Sequence, residues 1–254
     1  MTRLLGIQVA HGISSETRVF ASLLAHRDHR YEPLIYAQHH PGSDSAARIA
    51  ELSASTVEPR DMGWRPNTTA KKRSAGRLLL AAGFLARIPL TVAAARRHRP
   101  DVVYSSQQHY DCRVATSVAR ALRVPQVIHL HYIIGPWLQQ PVLKRLKTVD
   151  HVVAVSDFIR QQAIDFGVRP ERVTTIRNSM LPRPATTADS RCAARSAWGP
   201  AELEAVFGMV GRLDDGKGHL DAISAFEQLQ AARPNLAMRL VIVGTGIIES
   251  AIRD

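Results

Sequence analysis

The sequence predicts an α/β protein, a doubly wound parallel sheet wrapped by helices, followed by the opening of a second unit of the same kind. Three observations carry this. Short β-rich runs alternate with longer helical patterns, the order that βα repeats produce and hairpins do not. The run HVVAV at 151–155 is apolar from Val152 onward, as a strand buried on both faces requires. After Asn178 the texture changes to a stretch holding Pro182, Pro184, Gly199 and Pro200, and beyond it the alternation begins again.

In chain order, strands are predicted over Arg3–Ala10, Pro33–Ala37, Val102–Ser105, Gln126–His131, His151–Val155 and Val173–Ile176. Helices are predicted over Glu16–His26, Asp44–Leu52, Ala75–His98, Asp111–Leu122 and Asp157–Phe166. Ser156 suits the start of the last of these as an N-cap, and Gly167 can take the left-handed conformation that closes it. These elements make a first domain over 1–178, joined by a connection over 179–200 to a second over 201–254. There, Ala205–Val210 and Ala237–Val243 read as strands, Gly218–Ala231 as a helix and Ile247–Asp254 as the beginning of another. A single βαβ unit cannot cover both faces of its sheet, so this second domain reads as incomplete.

With 254 residues and 45% apolar composition, the chain has the material for an ordinary buried core. Thirty-three Lys and Arg against twenty-two Asp and Glu give a net charge of +11, and the excess is local: Arg60 to Arg99 holds ten basic residues and one acid, Asp61. Three readings stay open for that stretch. Its helix can pack an apolar face on the sheet and leave a charged rim. It can touch an anionic membrane surface, with Leu79 and Phe84 at the bilayer edge. A nucleic-acid site is disfavoured, since interleaved aromatics and a binding motif are missing. Cys112 and Cys192 form no C-x-x-C spacing, which excludes a disulfide framework and a cysteine-rich zinc site and fits a reducing cytoplasm. Gln8 interrupts the apolar N-terminal run, so that run reads as a strand and not as a signal peptide. Leu78–Ala86 is too short to span a bilayer.

The segment VFGMVGRLDDGKGHLDAISAF, from Val206 to Phe226, carries the chemistry. Gly211 ends a strand, and Gly216 and Gly218 flank Lys217 just before a helix. Glycines there let main-chain amides approach a ligand, and the helix turns its positive end toward an anion. Arg212 and Lys217 add two cations, so the natural guest is a phosphate or diphosphate. A Walker loop would need Ser or Thr where Gly218 stands. VIVGTG, residues 241–246, lacks the third glycine of a dinucleotide fingerprint.

The string from Gly211 to Gly246 resembles the start of the C-terminal domain of family-4 retaining glycosyltransferases of the GT-B fold, which show G-R-x-x-x-x-K-G, a helix, a proline and a strand ending in G-x-G. PQVIHLH ending at His131, HVVAVSDFIRQQAIDFGV from His151 and RVTTIRNSM around Asn178 resemble first-domain landmarks in the expected order. The resemblance implies a GT-B protein with a complete N-terminal Rossmann-like domain on the acceptor side and the first part of a second, nucleotide-sugar-binding one. It implies that Gly211, Arg212 and Lys217 bind the donor diphosphate, the two cations stabilising the leaving group catalytically, with Gly244 and Gly246 in a second donor loop. His131 would lie near the donor sugar, and the turn around Gly12, Ile13 and Ser14 would approach donor and acceptor. Relatives carry N-G where this chain has Asn178–Ser179, and a downstream pair of glutamates in a region past Asp254.

The implied partners are a nucleotide-sugar donor, which is a substrate and not a cofactor, and a glycan or lipid-linked acceptor of the cell envelope. No metal is expected: His129 and His131 share a strand face, but no carboxylate or third histidine stands at fitting spacing, which leaves His131 in the catalytic cleft or as a structural histidine. Asp214 and Asp215 read as solvated loop acids. The expected setting is the cytoplasm, at the membrane face if the basic stretch meets lipid. Two other readings remain: a truncated, non-catalytic remnant, and a nicotinamide-dependent oxidoreductase lacking a convincing acidic ribose contact.

Overall fold

A computed structural model describes residues 1–9, 13–39, 41–63, 74–107, 110–138, 140–178, 185–198 and 205–253, with main chain alone for 74–81. The chain divides into two compact units, Met1–Leu181 and Pro182–Asp254.

The first unit opens with β1 (Thr2–Gln8), α1 (Ser15–Ala25), β2 (Tyr31–Gln38), α2 (Ser45–Ser53) and β3 (Thr56–Arg60). It continues with α3 (Ser74–His98), β4 (Val102–Ser105), α4 (Tyr110–Leu122) and β5 (Gln126–Leu130), then α5 (Gln140–Leu146), β6 (His151–Ala154), α6 (Asp157–Asp165) and β7 (Val173–Thr175). Its seven strands lie in the order β3-β2-β1-β4-β5-β6-β7, and every pair is parallel. From β1 the chain winds outward to β3, crosses back through α3 to β4, and winds the other way to β7, so the strand order reverses between β1 and β4. The fold of this unit is the doubly wound α/β class.

Alternation along the strands builds a core on each face. Leu5, Ile7, Tyr36 and Val103 join Ala95, Val114 and Val118 on the side of α3 and α4. Ile35 and Ala37, the neighbours of Tyr36, point the other way and meet Phe20, Leu24 and Ile49 of α1 and α2. A third cluster packs Ile128, Leu130, Val152 and Ala154 against Leu146 and Ala163. Ser14 caps α1 by accepting from the Thr17 amide at 3.2 Å, Ser156 caps α6 by accepting from the Ile159 amide at 3.2 Å, and Gly167 follows α6 at φ 106°.

Three elements differ from the sequence reading. Strand β3, TVEPR, was not expected; it is an edge strand, where Pro59 forfeits a hydrogen bond that the edge does not need. Helix α5 is short and begins beside a proline. The connection expected over 179–200 contains a helix, α7 (Ala188–Trp198), started by Thr187, whose hydroxyl accepts from the Ser190 amide at 3.1 Å; its described side chains are exposed.

The second unit continues with β8 (Ala205–Val210), α8 (His219–Ala232), β9 (Met238–Val243) and α9 (Glu249–Arg253). β8 and β9 pair in parallel over six positions. Phe207, Val210 and Val243 remain exposed on this two-stranded sheet.

Ile128 is fully buried in the third cluster, so Ile128→Ala is expected to cost about 2–5 kcal/mol, cavity included. Urea unfolding should show a lower midpoint at an unchanged slope, while Ile176→Ala, at an exposed position, should stay within about 0.5 kcal/mol of the parent.

Candidate functional site

In an open parallel sheet, ligands bind beyond the carboxyl ends of the strands where the strand order reverses. That place in this chain is rich in buried polar groups: Gln8 at the end of β1, Ser105 and Ser106 at the end of β4, His129 on β5, and Glu16, Thr17 and Asp111 in the first turns of α1 and α4. Buried polar groups are costly unless paired, and here a hydrogen-bonded chain pairs them. The Gln8 amide donates to the Ser106 hydroxyl and its carbonyl oxygen accepts from Thr17 Oγ1 at 3.4 Å. Thr17 Oγ1 meets Ser14 Oγ at 3.0 Å, and Ser14 Oγ accepts from Gln107 Nε2 at 3.4 Å. Asp111 takes the Gln107 amide at 2.5 Å and the Cys112 amide at 2.8 Å. Burial pushes the Cys112 thiol up to about 12, with Asp111 adding to it, so this thiol stays protonated and inert at neutral pH.

His131 follows the last residue of β5. Its ring lies 4.1 Å, centroid to centroid, from that of His129, and the His129 Nδ1 shares a 2.5 Å hydrogen bond with the Tyr104 hydroxyl. Burial drives His129 down to about 3, and the neighbouring His131 adds to this. Burial also lowers His131, against the pull of the Glu16 charge and a main-chain hydrogen bond at Ser106. For Glu16 burial works toward neutrality, yet hydrogen bonds from Ser14, its own amide and Ser15, with the His131 ring beside them, hold the carboxyl below the usual range. The helix start favours the anion as well. At neutral pH the arrangement therefore presents two neutral imidazoles and one carboxylate. Ser14 acts as the α1 cap, Ile13 packs on the Phe20 cluster, and Gly12 lies outside the described residues.

In the second unit, Gly211 leaves β8 and its amide bonds to the Val243 carbonyl at 3.0 Å, while the Leu213 amide bonds to Thr245 at 3.0 Å. This stitches the loop after β8 to the loop after β9. A Cβ on Gly244 would fall onto the Gly211 carbonyl, and one on Gly246 onto the Leu213 carbonyl. Both glycines are thus required by the approach of two main chains, a role that stands apart from any ligand. Gly211 and Gly216, by contrast, face open space where a side chain would otherwise stand. A 3-10 turn at Asp215–Lys217 leads to Gly218 at φ 73°, and α8 begins there. Arg212 pairs with Asp214 at 2.6 Å while its side chain stays 77% exposed, and Lys217 is exposed. Asp214 is thus a partner of Arg212 and not only a solvated acid.

Sequence reasoning did not name Glu16, Gln8, Ser106 or His219 as site residues. Gln8 carried a signal, since it breaks an otherwise apolar strand. His219, the first residue of α8, is 1% exposed with neither ring nitrogen hydrogen-bonded among the described residues. Also among the described residues, no group of three or more His, Cys, Asp or Glu could hold a metal ion.

A doubly wound α/β unit with a polar cluster at the strand reversal, followed by a parallel βαβ unit with a glycine-cation loop at a helix start, has the order of elements of the GT-B fold. The chain belongs to Glycosyltransferase Family 4, whose family model matches residues 12–180, more than half of its length. No curated protein matches it. Among solved structures it is similar to Anabaena HepE in complex with UDP and glucose, at 20% identity and a TM-score of 0.71, over 99% of this chain and 63% of that one. It is also similar to the lipopolysaccharide outer core galactosyltransferase WaaB, at 15% identity and a TM-score of 0.59, over 100% of this chain and 63% of that one. UDP-GlcNAc 2-epimerase from Neisseria meningitidis bound to UDP-GlcNAc is similar as well, at 9% identity and a TM-score of 0.58, over 94% and 65% of the two chains. These likenesses show the fold, and the chain spans about 63% of the length of the HepE chain.

Two outcomes follow. Because folded His129 and His131 titrate below their ordinary value near 6.5, the unfolded chain takes up protons first on acidification. Stability is full above about pH 6.5 and falls below it, approaching a slope of about 1.4 kcal/mol per pH unit from His129, with His131 adding in the same direction. Urea titrations between pH 4 and 7 should show this, with a clearly shallower slope in His129→Asn. Gly246→Ala should loosen the second unit by about 1–3 kcal/mol through the main-chain clash, read as faster amide exchange in β8 and β9.

Proposed function

We propose that the chain forms the acceptor-side domain and the first part of the donor-side domain of a glycosyltransferase that moves a sugar from a nucleotide-sugar donor to an acceptor hydroxyl with retention of configuration. The loop from Gly211 to Gly218 carries this reading. Two exposed cations, two glycines facing open space and a helix start stand together there, which is the chemistry that accepts a diphosphate.

Arg212 and Lys217 would neutralise the diphosphate as charge develops on the leaving group, the largest contribution these residues offer to catalysis. Asp214 would hold the Arg212 guanidinium in place. Gly244 and Gly246 would serve the donor indirectly, by setting the height of the cation loop through main-chain packing. His131, neutral at working pH, suits hydrogen bonding to a sugar hydroxyl, and Glu16 would orient it. The turn through Gly12, Ile13 and Ser14 would approach the substrates, with Ser14 anchoring it to α1. A glycan or lipid-linked acceptor of the cell envelope, reached from the cytoplasm, suits the family. No metal and no organic cofactor enter this scheme, and the nicotinamide reading is set aside for want of a dinucleotide fingerprint.

Calorimetric titration of UDP and UDP-sugars into the 254-residue chain tests the reading. Arg212→Ala and Lys217→Ala should each weaken UDP by about ten- to a hundredfold, the loss of one charge-assisted hydrogen bond, and the anomeric proton of any product should keep the donor configuration. The alternative to this reading is a truncated, non-catalytic remnant. Failure of the unmodified chain to bind any nucleotide would overturn the reading of this loop as a donor site in this chain.

A further inference from the structure

Helix α3 departs from an ordinary surface helix in being apolar on its outer face as well as its inner one. Its inner face is accounted for: Phe84, Ile88 and Val92 pack on the core beneath, and Thr91, Ala94 and Ala95 are buried there. The outer face should then be polar. It is not. Ala82, Leu85, Ala86, Pro89, Leu90 and Ala93 are all exposed and recur at the three-to-four spacing that places them in one stripe. Leu85 is 70% and Leu90 60% exposed. The one charged residue among them in sequence, Arg87, is engaged by Asp61 at 3.1 Å. The stripe runs for about 17 Å along the helix.

The same stripe continues into Arg96 and Arg97, both exposed. Arg96 also lines a cavity of about 360 Å³ with Arg3 and Arg99. The single acid there, Asp101, is already taken by the Arg3 amide at 2.7 Å and the Arg3 guanidinium at 3.7 Å. The helix macrodipole accounts for cations near the end of α3, but it supplies no reason for exposed leucines upstream of them. An apolar ridge that ends in clustered guanidinium groups has the chemistry of a helix lying in a bilayer interface, its apolar side at the acyl boundary and its cations among phosphates. No helix of the described residues is long and apolar enough to cross a membrane, so α3 is suited to lie on a membrane and not to span it.

We propose that the exposed face of α3 is a docking surface for an anionic bilayer, with Leu85 and Leu90 entering the interface and Arg96, Arg97 and Arg99 meeting lipid phosphates. This assigns the basic stretch a lipid partner, and the apolar side chains that touch it are the outward ones, whereas Phe84 belongs to the core. The assignment is independent of donor binding.

Flotation of the whole chain with vesicles of roughly 3:7 phosphatidylglycerol to phosphatidylcholine, at near-physiological salt, tests it. Binding to these vesicles should exceed binding to pure phosphatidylcholine by at least about tenfold. Leu85→Asp/Leu90→Asp should lower vesicle binding by about tenfold or more at an unchanged melting temperature, because both side chains already face solvent. Arg96→Gln/Arg97→Gln should weaken it by about tenfold and flatten its salt dependence. Absence of binding to the anionic vesicles overturns the proposal, and so does an unaltered Leu85/Leu90 variant. A dimer in sedimentation that this variant dissolves, with no vesicle binding by the parent chain, would assign the face to a second copy and overturn it equally. UDP titration of the same variants should be unchanged, which separates this result from the donor reading.

Discussion

The first unit depends on the hydrogen-bonded chain through Ser106, Gln8, Thr17, Ser14 and Gln107. These side chains come from the ends of two adjacent strands and from the start of the helix that covers them. Left unpaired in the interior, each would cost on the order of 1–3 kcal/mol. Satisfied together, they hold the end of β1, the loop after β4 and the first turn of α1 in one arrangement. The protonation states of the cluster follow from it. Glu16 stays ionised because Ser14, its own amide and the Ser15 side chain support its charge, and His131 stays neutral because burial outweighs the Glu16 attraction.

The second unit uses main chain for the same purpose. Its two loops are pinned by the Gly211 and Leu213 amides and by the lack of side chains at Gly244 and Gly246. The glycines that look alike in the sequence thus divide into two kinds. Gly244 and Gly246 make room for a neighbouring carbonyl, while Gly211 and Gly216 leave room that no described residue fills.

Most elements were legible because burial on one or two faces writes a period into the sequence. Strands β4 and β8 begin and end where the apolar runs do. β3 was hidden because Glu58, Pro59 and Arg60 erase the strand signature, which an edge position tolerates. α7 was hidden because none of its described side chains is buried, so they leave no apolar stripe to read. At the site, the glycine-cation loop is contiguous and could be recognised. The network around His131 could not, since Gln8 and Ser106 are 98 positions apart and no local pattern records their meeting. The outward leucines of α3 were likewise invisible, because a helix apolar on all sides does not declare which side the core takes.

The two-stranded sheet of the second unit has a practical consequence. β8 and β9 pair only with each other among the described strands, so each has one edge without a strand partner among them, beside exposed Val210 and Val243. Such edges template strand addition from any extended segment that reaches them. In concentrated preparations of this 254-residue chain, association through these edges would set the solubility ceiling, and adding a strand that caps the edge would raise it.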